Sequence, residues 1–315
     1  MHQPRPIVFY YGRESHEPWR DELREAAPGS TILLGPLNDD QPLDKIEAAY
    51  GGVRQEMLPR LPNLRWVQTT SAGVEGILYP EMVASDVVIT NCKGIFSIFI
   101  AELAVAHLLA LTSQVLAAAL RPDRKTWLYK PLRATELYGK TALIVGMGGI
   151  GSEIAERVQA FHMKTIGIDM IRKAGAGITL LRPDRLDEVL PEADVVFVTA
   201  PATTARKLFD RDRLFRMKKG AYLINSSRGK VVDTDALTEA LQCGHLAGAG
   251  LDALDPEPLP PEHPLWDMMN VSITPHIGGN TDALDRRRFL FLKENLWRYV
   301  RGVPLLNVVN KRRGF

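Results

Sequence analysis

Apolar and polar positions fall into short apolar runs separated by stretches of helical period, and this alternation recurs along the whole chain. Residues 6–11, 31–34, 64–68 and 87–90 are apolar runs bounded by turn residues and predict strands. Residues 17–27 are polar with helical spacing and stop at Pro28-Gly29, which predicts a helix. Residues 98–116 are apolar on nearly every face, so that helix should be buried on most sides. His107 inside it reads as a satisfied structural histidine rather than a catalyst. Residues 121–137 are polar and proline-interrupted and predict a loop. Further on, strands are expected at 164–169, 193–200, 222–229, 246–254 and 271–276, and helices at 152–161, 182–190, 235–243 and 282–300. Strands alternating with helices imply parallel sheets covered by helices, the first of them a small flavodoxin-like domain.

One junction in this pattern carries chemistry. The apolar run Leu143-Ile-Val ends in Gly146-x-Gly148-x-x-Gly151 and passes directly into a helical stretch. The first glycine allows a tight turn, the second lets the backbone approach a pyrophosphate, and the third lets the helix pack closely on the strand. The helix start offers unpaired N–H groups and a positive dipole end to phosphates. The next strand ends on Asp169, 169 − 151 = 18 residues past the last glycine. An acid near that spacing grips a ribose 2′-hydroxyl. A lone glycine motif also fits an ordinary turn; the flanking strand, helix and acid make it a dinucleotide-binding unit.

Composition narrows the class without naming it. The chain has 315 residues, long enough for two domains, with 45% hydrophobic and 24% charged residues. A formal charge of +2 gives no reason to expect nucleic acid as a partner. Cys92 and Cys243 have no metal-ligand spacing, so no metal is expected, and a reduced cytoplasmic protein is. The N-terminus lacks a signal-peptide pattern, and no apolar run reaches the ~20 residues of a membrane span.

Three polar residues stand at or just after expected strand ends, where open α/β sheets place ligands: Arg228, Glu257 and His276. Reduction of a 2-keto acid needs a cation for the carboxylate, a proton donor for the keto oxygen, and preferably a carboxylate behind that donor. The chain supplies one candidate for each role. Taken singly, each also fits a surface ion pair, a loop acid or a strand-end histidine. Residues 69–76, Thr-Thr-Ser-Ala-Gly-Val-Glu-Gly, could expose backbone N–H groups to a ligand or simply cap a helix with Ser71.

With these motifs in view, the chain resembles the D-isomer-specific 2-hydroxyacid dehydrogenases. The resemblance is densest in Gly146-Met-Gly-Gly-Ile-Gly151, Asn225-Ser-Ser-Arg-Gly229, Gly248-Ala-Gly-Leu-Asp252, Asp255-Pro-Glu-Pro258, His263-Pro-Leu-Trp266 and Thr274-Pro-His-Ile-Gly278. It implies that Arg228 holds the substrate carboxylate, that His276 is the general acid–base group and that Glu257 pairs with it. Cofactor contacts are implied for Gly146, Gly148, Gly149, Ile150, Gly151, Asp169, Ala200, Ser226, Asp252, Gly278 and Gly279, with Asp252 at the nicotinamide carboxamide. Backbone N–H groups of Ser71, Ala72, Gly73 and Val74 would join Arg228 in binding substrate. The implied architecture is a doubly wound Rossmann cofactor domain, residues 101–285, inserted into a smaller flavodoxin-like substrate domain, residues 1–100 and 286–315. A homodimer through the cofactor domain is the usual assembly.

Asp169 favours NAD over NADP, since its charge would repel a 2′-phosphate; Arg172 and Lys173 nearby read as a solvated turn. The expected activity is reversible reduction of a small 2-keto acid such as glyoxylate or hydroxypyruvate to the D-2-hydroxy acid. The stretch 200–206 departs from the family pattern, and Leu111-Thr-Ser-Gln114 lacks the arginine that commonly follows the first crossover helix. A formate- or phosphite-type dehydrogenase and a dinucleotide-sensing corepressor share the fold. Glu257 argues against the formate branch, and the lack of a long extension argues against the corepressor.

Overall fold

The computed structural model describes all residues except 1–2, 13–16, 38–39, 124, 126, 128–131, 171–174, 201–206, 313 and 315. The chain divides into two compact units, Met1–Phe96 with Asp282–Phe315, and Ser97–Thr281. The divisions fall at 96/97 and 281/282, against 100/101 and 285/286 expected from the sequence.

The first unit contains β1 (Val8–Tyr11), α1 (Glu17–Ala26), β2 (Thr31–Leu34), β3 (Ile46–Tyr50), β4 (Trp66–Gln68), α2 (Pro80–Ala84) and β5 (Val88–Thr90). The pairings between these strands are parallel, in the flavodoxin-like order β2-β1-β3-β4-β5. β3 is absent from the hydrophobic reading, because Ile-Glu-Ala-Ala-Tyr is short and rich in residues that strands disfavour. Burial decides its conformation: Ile46, Ala48, Ala49 and Tyr50 all lie in the core.

The second unit contains α3 (Ser97–Thr112), α4 (Val115–Leu120), β6 (Thr141–Val145), α5 (Gly149–Ala160), β7 (Lys164–Ile168), β8 (Ile178–Leu181), α6 (Leu186–Val189), β9 (Val195–Val198), α7 (Arg211–Arg216), β10 (Tyr222–Asn225), α8 (Thr234–Gln242), β11 (Gly248–Leu251) and β12 (Val271–Ile273). Its seven parallel strands run in the order β12-β11-β10-β9-β6-β7-β8. This is the doubly wound arrangement, and the strand order reverses between β6 and β9. Alternate residues of β6 serve opposite faces. Leu143 and Val145 pack with Leu186, Leu214 and Leu237, while Ala142 and Ile144 pack with Ala104, Leu108 and Ile154. Both faces are therefore apolar, and the strands read as continuous hydrophobic runs.

The helix expected at 98–116 is in fact two. Thr112 donates its hydroxyl to Leu108 O and Ser113 to Leu109 O, and Gln114 takes a left-handed φ of 62° before α4 begins. Such side chains compete with the helical ladder, which the apolar pattern alone cannot show. β8 also escapes the pattern, because a four-residue edge strand needs little burial.

The chain returns to the first unit as α9 (Leu284–Val300). Phe289, Leu292, Leu296 and Val300 share its inner face and pack on Phe9, Leu23 and Trp66. The buried Asn295 amide donates to Gln68 Oε1 at 2.9 Å and pins the helix to β4. Among the described residues, no helix is long and apolar enough to cross a membrane.

Candidate active site

The glycine turn sits at the β6 end of the switch point. Gly146 has φ 103°, and a Cβ there would lie 2.7 Å from Ala200 N. A Cβ on Gly151 would lie 2.1 Å from Gly146 O, so α5 reaches β6 only through a glycine. Gly148 is the opposite case, with nothing within 4 Å of an added Cβ. Space is thus filled around Gly146 and Gly151 and open at Gly148. Gly148 is also the N-cap of α5 and supplies no side-chain cap, leaving the first N–H groups, at Gly149, Ile150 and Gly151, to a ligand. Asp169 follows β7 and accepts from Met147 N at 2.9 Å, so its carboxylate is tied to the turn. Arg172, Lys173 and the 201–206 stretch lie outside the described residues.

Thr199 closes the other side of the turn, its hydroxyl donating to Gly146 O at 2.5 Å and Val145 O at 3.2 Å. The sequence reading did not single it out, though its place directly after a buried strand was the available signal. Ser226 follows β10, and its buried hydroxyl has no hydrogen-bond partner among the described residues. An orphaned buried hydroxyl fits a group that a dinucleotide would supply.

Arg228 stands at the end of the β10 loop. Asn225 shapes that loop, donating to Arg228 O at 3.3 Å and Ala253 O at 3.0 Å while its own Oδ1 accepts from Ser227. Gly229 lies so close to the next loop that a Cβ would meet Leu254 O at 1.7 Å. The Arg228 side chain is exposed; among the described residues it hydrogen-bonds only Ser227 O, at 3.0 Å, and no carboxylate pairs with it.

His276 follows β12, in a turn where its own φ is 53°. Its Nδ1 lies 2.7 Å from Glu257 Oε1, and no protein group among the described residues engages Nε2. The turn is held by Asp252, buried at the end of β11. One oxygen accepts from the Thr274 hydroxyl (2.6 Å) and Ile277 N (2.9 Å), the other from Gly278 N (3.0 Å). A Cβ on Gly278 would fall 2.8 Å from Asp252 Oδ2, so this contact too needs a glycine. Gly279, half-buried, directly follows. The structure therefore joins Glu257 to His276 directly and Asp252 to the His276 turn through the backbone. It shows no hydrogen bond from Arg228 to either Glu257 or His276.

In the first unit, residues 71–74 form a loop, not a helix start. Ser71 donates to Gly73 O at 2.6 Å, Cys92 N to Ser71 O at 2.9 Å and Asn91 to Ala72 O at 2.7 Å. The carbonyls are thereby occupied, while the N–H groups of residues 71–74 donate to no protein acceptor among the described residues. Among the described residues, no cluster of His, Cys, Asp and Glu is placed to hold a metal ion.

Fold and turn define a dinucleotide-binding α/β protein. Residues 105–278 match the family described as D-isomer specific 2-hydroxyacid dehydrogenase, NAD binding domain. A glyoxylate reductase of Thermofilum pendens is 34% identical over 302 residues, covering 92% of this chain and 87% of the relative. A D-3-phosphoglycerate dehydrogenase of Bacillus subtilis is 32% identical over 82% of this chain and 49% of that longer enzyme. A D-isomer specific 2-hydroxyacid dehydrogenase of Xanthobacter autotrophicus Py2, solved with NADPH and MES, has TM-score 0.82 at 28% identity, covering 99% of this chain and all of that one. The chain belongs to the D-isomer specific 2-hydroxyacid dehydrogenase family.

Proposed function

We propose that this protein reversibly reduces a small 2-keto acid, of the glyoxylate or hydroxypyruvate kind, to its D-2-hydroxy acid with NADH. The observation that carries the reading is the His276–Glu257 hydrogen bond, which orients the ring and leaves Nε2 for a substrate oxygen. The bound nicotinamide supplies the hydride. His276 gives the Nε2 proton to the keto oxygen on reduction and takes the hydroxyl proton back on oxidation. Glu257 holds the ring in register and accepts from Nδ1–H, so that the protonated imidazole keeps a partner. Arg228 holds the substrate carboxylate, best by a bidentate guanidinium contact. In the first unit, the N–H groups of Ser71, Ala72, Gly73 and Val74, which donate to no protein acceptor among the described residues, are donors suited to a substrate carboxylate.

For the cofactor, Gly146, Gly148, Gly149, Ile150 and Gly151 take the pyrophosphate, and Asp169 the adenosine ribose. Ala200, Ser226, Gly278 and Gly279 line the remainder, with Asp252 toward the carboxamide. Asp169 supports NAD over NADP, because a carboxylate accepts from a 2′-hydroxyl and repels a 2′-phosphate. A panel of 2-keto acids assayed with NADH and NADPH tests both statements. Turnover with NADH on one of them, giving the D product, is expected; silence across the panel overturns the activity, and equal efficiency with NADPH overturns the cofactor choice.

A homodimer through the cofactor-binding unit is part of the same reading. It is motivated by the exposed apolar side chains of Val115, Leu120, Trp127 and Tyr138. A monomer mass by light scattering would contradict it. The free thiols of Cys92 and Cys243 suit a reducing, cytoplasmic setting, and protection of both thiols as disulfides in the native protein would count against that.

A further inference from the structure

His107 lies on α3, 3% exposed, and both its ring nitrogens are engaged. Nδ1 is 2.8 Å from Ser272 Oγ, and Nε2 is 3.1 Å from Thr274 Oγ1. Thr274 in turn donates to Asp252 Oδ1 at 2.6 Å. A hydroxyl has one proton. The Asp252 carboxylate takes that of Thr274, so the Thr274 oxygen is left to accept, and His107 must carry its proton on Nε2. Nδ1 of the neutral ring then accepts from the Ser272 hydroxyl. The chain of donors runs in one direction only, from Ser272 through His107 and Thr274 to Asp252. It ends on the carboxylate that holds Ile277 N and Gly278 N, the two amides after His276.

The backbone is arranged to admit this ring. A Cβ on Gly250 would lie 2.5 Å from His107 Cβ, so glycine in the middle of β11 lets α3 come close enough for the imidazole to reach β12 and its end.

We propose that His107 is a positioning residue for the proton donor of the reaction given above, on which this inference rests. By donating to Thr274 it directs the Thr274 hydroxyl onto Asp252. It thereby fixes the 274–278 turn that holds His276 against Glu257. Aligned hydrogen bonds reinforce one another in a buried setting, so losing the first donor weakens the last contact as well.

The test combines turnover with 15N NMR of the His276 imidazole in the ligand-free protein. His107→Leu removes both hydrogen bonds at similar bulk. It is expected to lower kcat roughly tenfold or more, by misplacing the donor, with keto-acid KM little changed. The His276 Nδ1 resonance should move away from its hydrogen-bonded position. His107→Gln, whose amide N–H can still donate to Thr274, should restore both. If His107→Leu keeps wild-type kcat and an unmoved His276 resonance, the relay is wrong. Should His107→Leu fail to fold, Thr274→Val breaks the same link and Thr274→Ser restores it; wild-type turnover in Thr274→Val is equally fatal. His276→Asn, run in parallel, separates the two levels. Full turnover in that variant overturns the assignment of the proton donor and the relay with it, whereas a dead His276→Asn beside an unaffected His107→Leu overturns the relay alone.

Discussion

Arg228 is an exposed guanidinium that no described carboxylate neutralises, although this chain holds its cations in ion pairs at many other places, among them Arg213 with Asp187 and Lys207 with Asp233. A cation left without an acid is suited to an anionic ligand. Arg228→Ala should therefore raise the keto-acid KM on the order of tenfold to a hundredfold, the worth of one charge-assisted contact, measured by steady-state kinetics; an unchanged KM would remove Arg228 from the site. At this scale the sequence was informative. Arg228, Glu257 and His276 stood out as polar residues after strand ends, and the structure links Glu257 with His276. Thr199 and Thr274 were not singled out, because a hydroxyl that hydrogen-bonds backbone oxygens or a buried carboxylate has no pattern of its own in sequence. His107 was read as a satisfied structural histidine, and it is satisfied. What the sequence could not say is that its partners belong to the turn of another strand.

At the scale of elements, the glycines decide how closely strands, helices and loops approach. Gly229 packs on the backbone of Leu254 with no room for a methyl group, and that obstacle is main chain rather than a flexible side-chain end. Gly229→Ala should destabilise the fold by about 3 kcal/mol, near the upper end of overpacking costs, and displace the Arg228 loop; a denaturation midpoint equal to wild type would contradict this. α3 makes a pH-dependent contribution through His107, whose pKa is lowered by burial, with Asp252 acting in the opposite sense. The unfolded chain, near the usual ~6.5, binds the proton more readily than the folded one. This contribution is thus fully present above about pH 6.5 and is lost as pH falls below it toward the lower folded value. Urea midpoints measured from pH 7.5 downward should drop less steeply in His107→Gln than in the wild type; parallel curves would show that His107 does not supply this dependence. Elements with strong apolar runs were legible from sequence. β3 and β8 were not, since one is built from alanine and glutamate and the other is a short edge.

For the whole molecule, each of the two units is built on a parallel sheet, and such sheets are covered on both faces. The glycine turn pointed to the larger sheet, and the reversal of strand order between β6 and β9 lies where that turn begins. Arg228, Glu257 and His276 all belong to this unit, so it would carry both the cofactor and the proton donor. The small sheet was legible as a class but not as a strand count, and its free N–H groups at residues 71–74 became visible only once their carbonyls were seen to be occupied. The central claim is that His276, held by Glu257, moves the proton of a 2-keto acid reduction. The most direct test is kcat of His276→Asn on the best keto acid with NADH, alongside its KM. A fall of about a hundredfold to ten-thousandfold with KM little changed is the predicted result, and a His276→Asn variant that turns over at the wild-type rate would contradict the account.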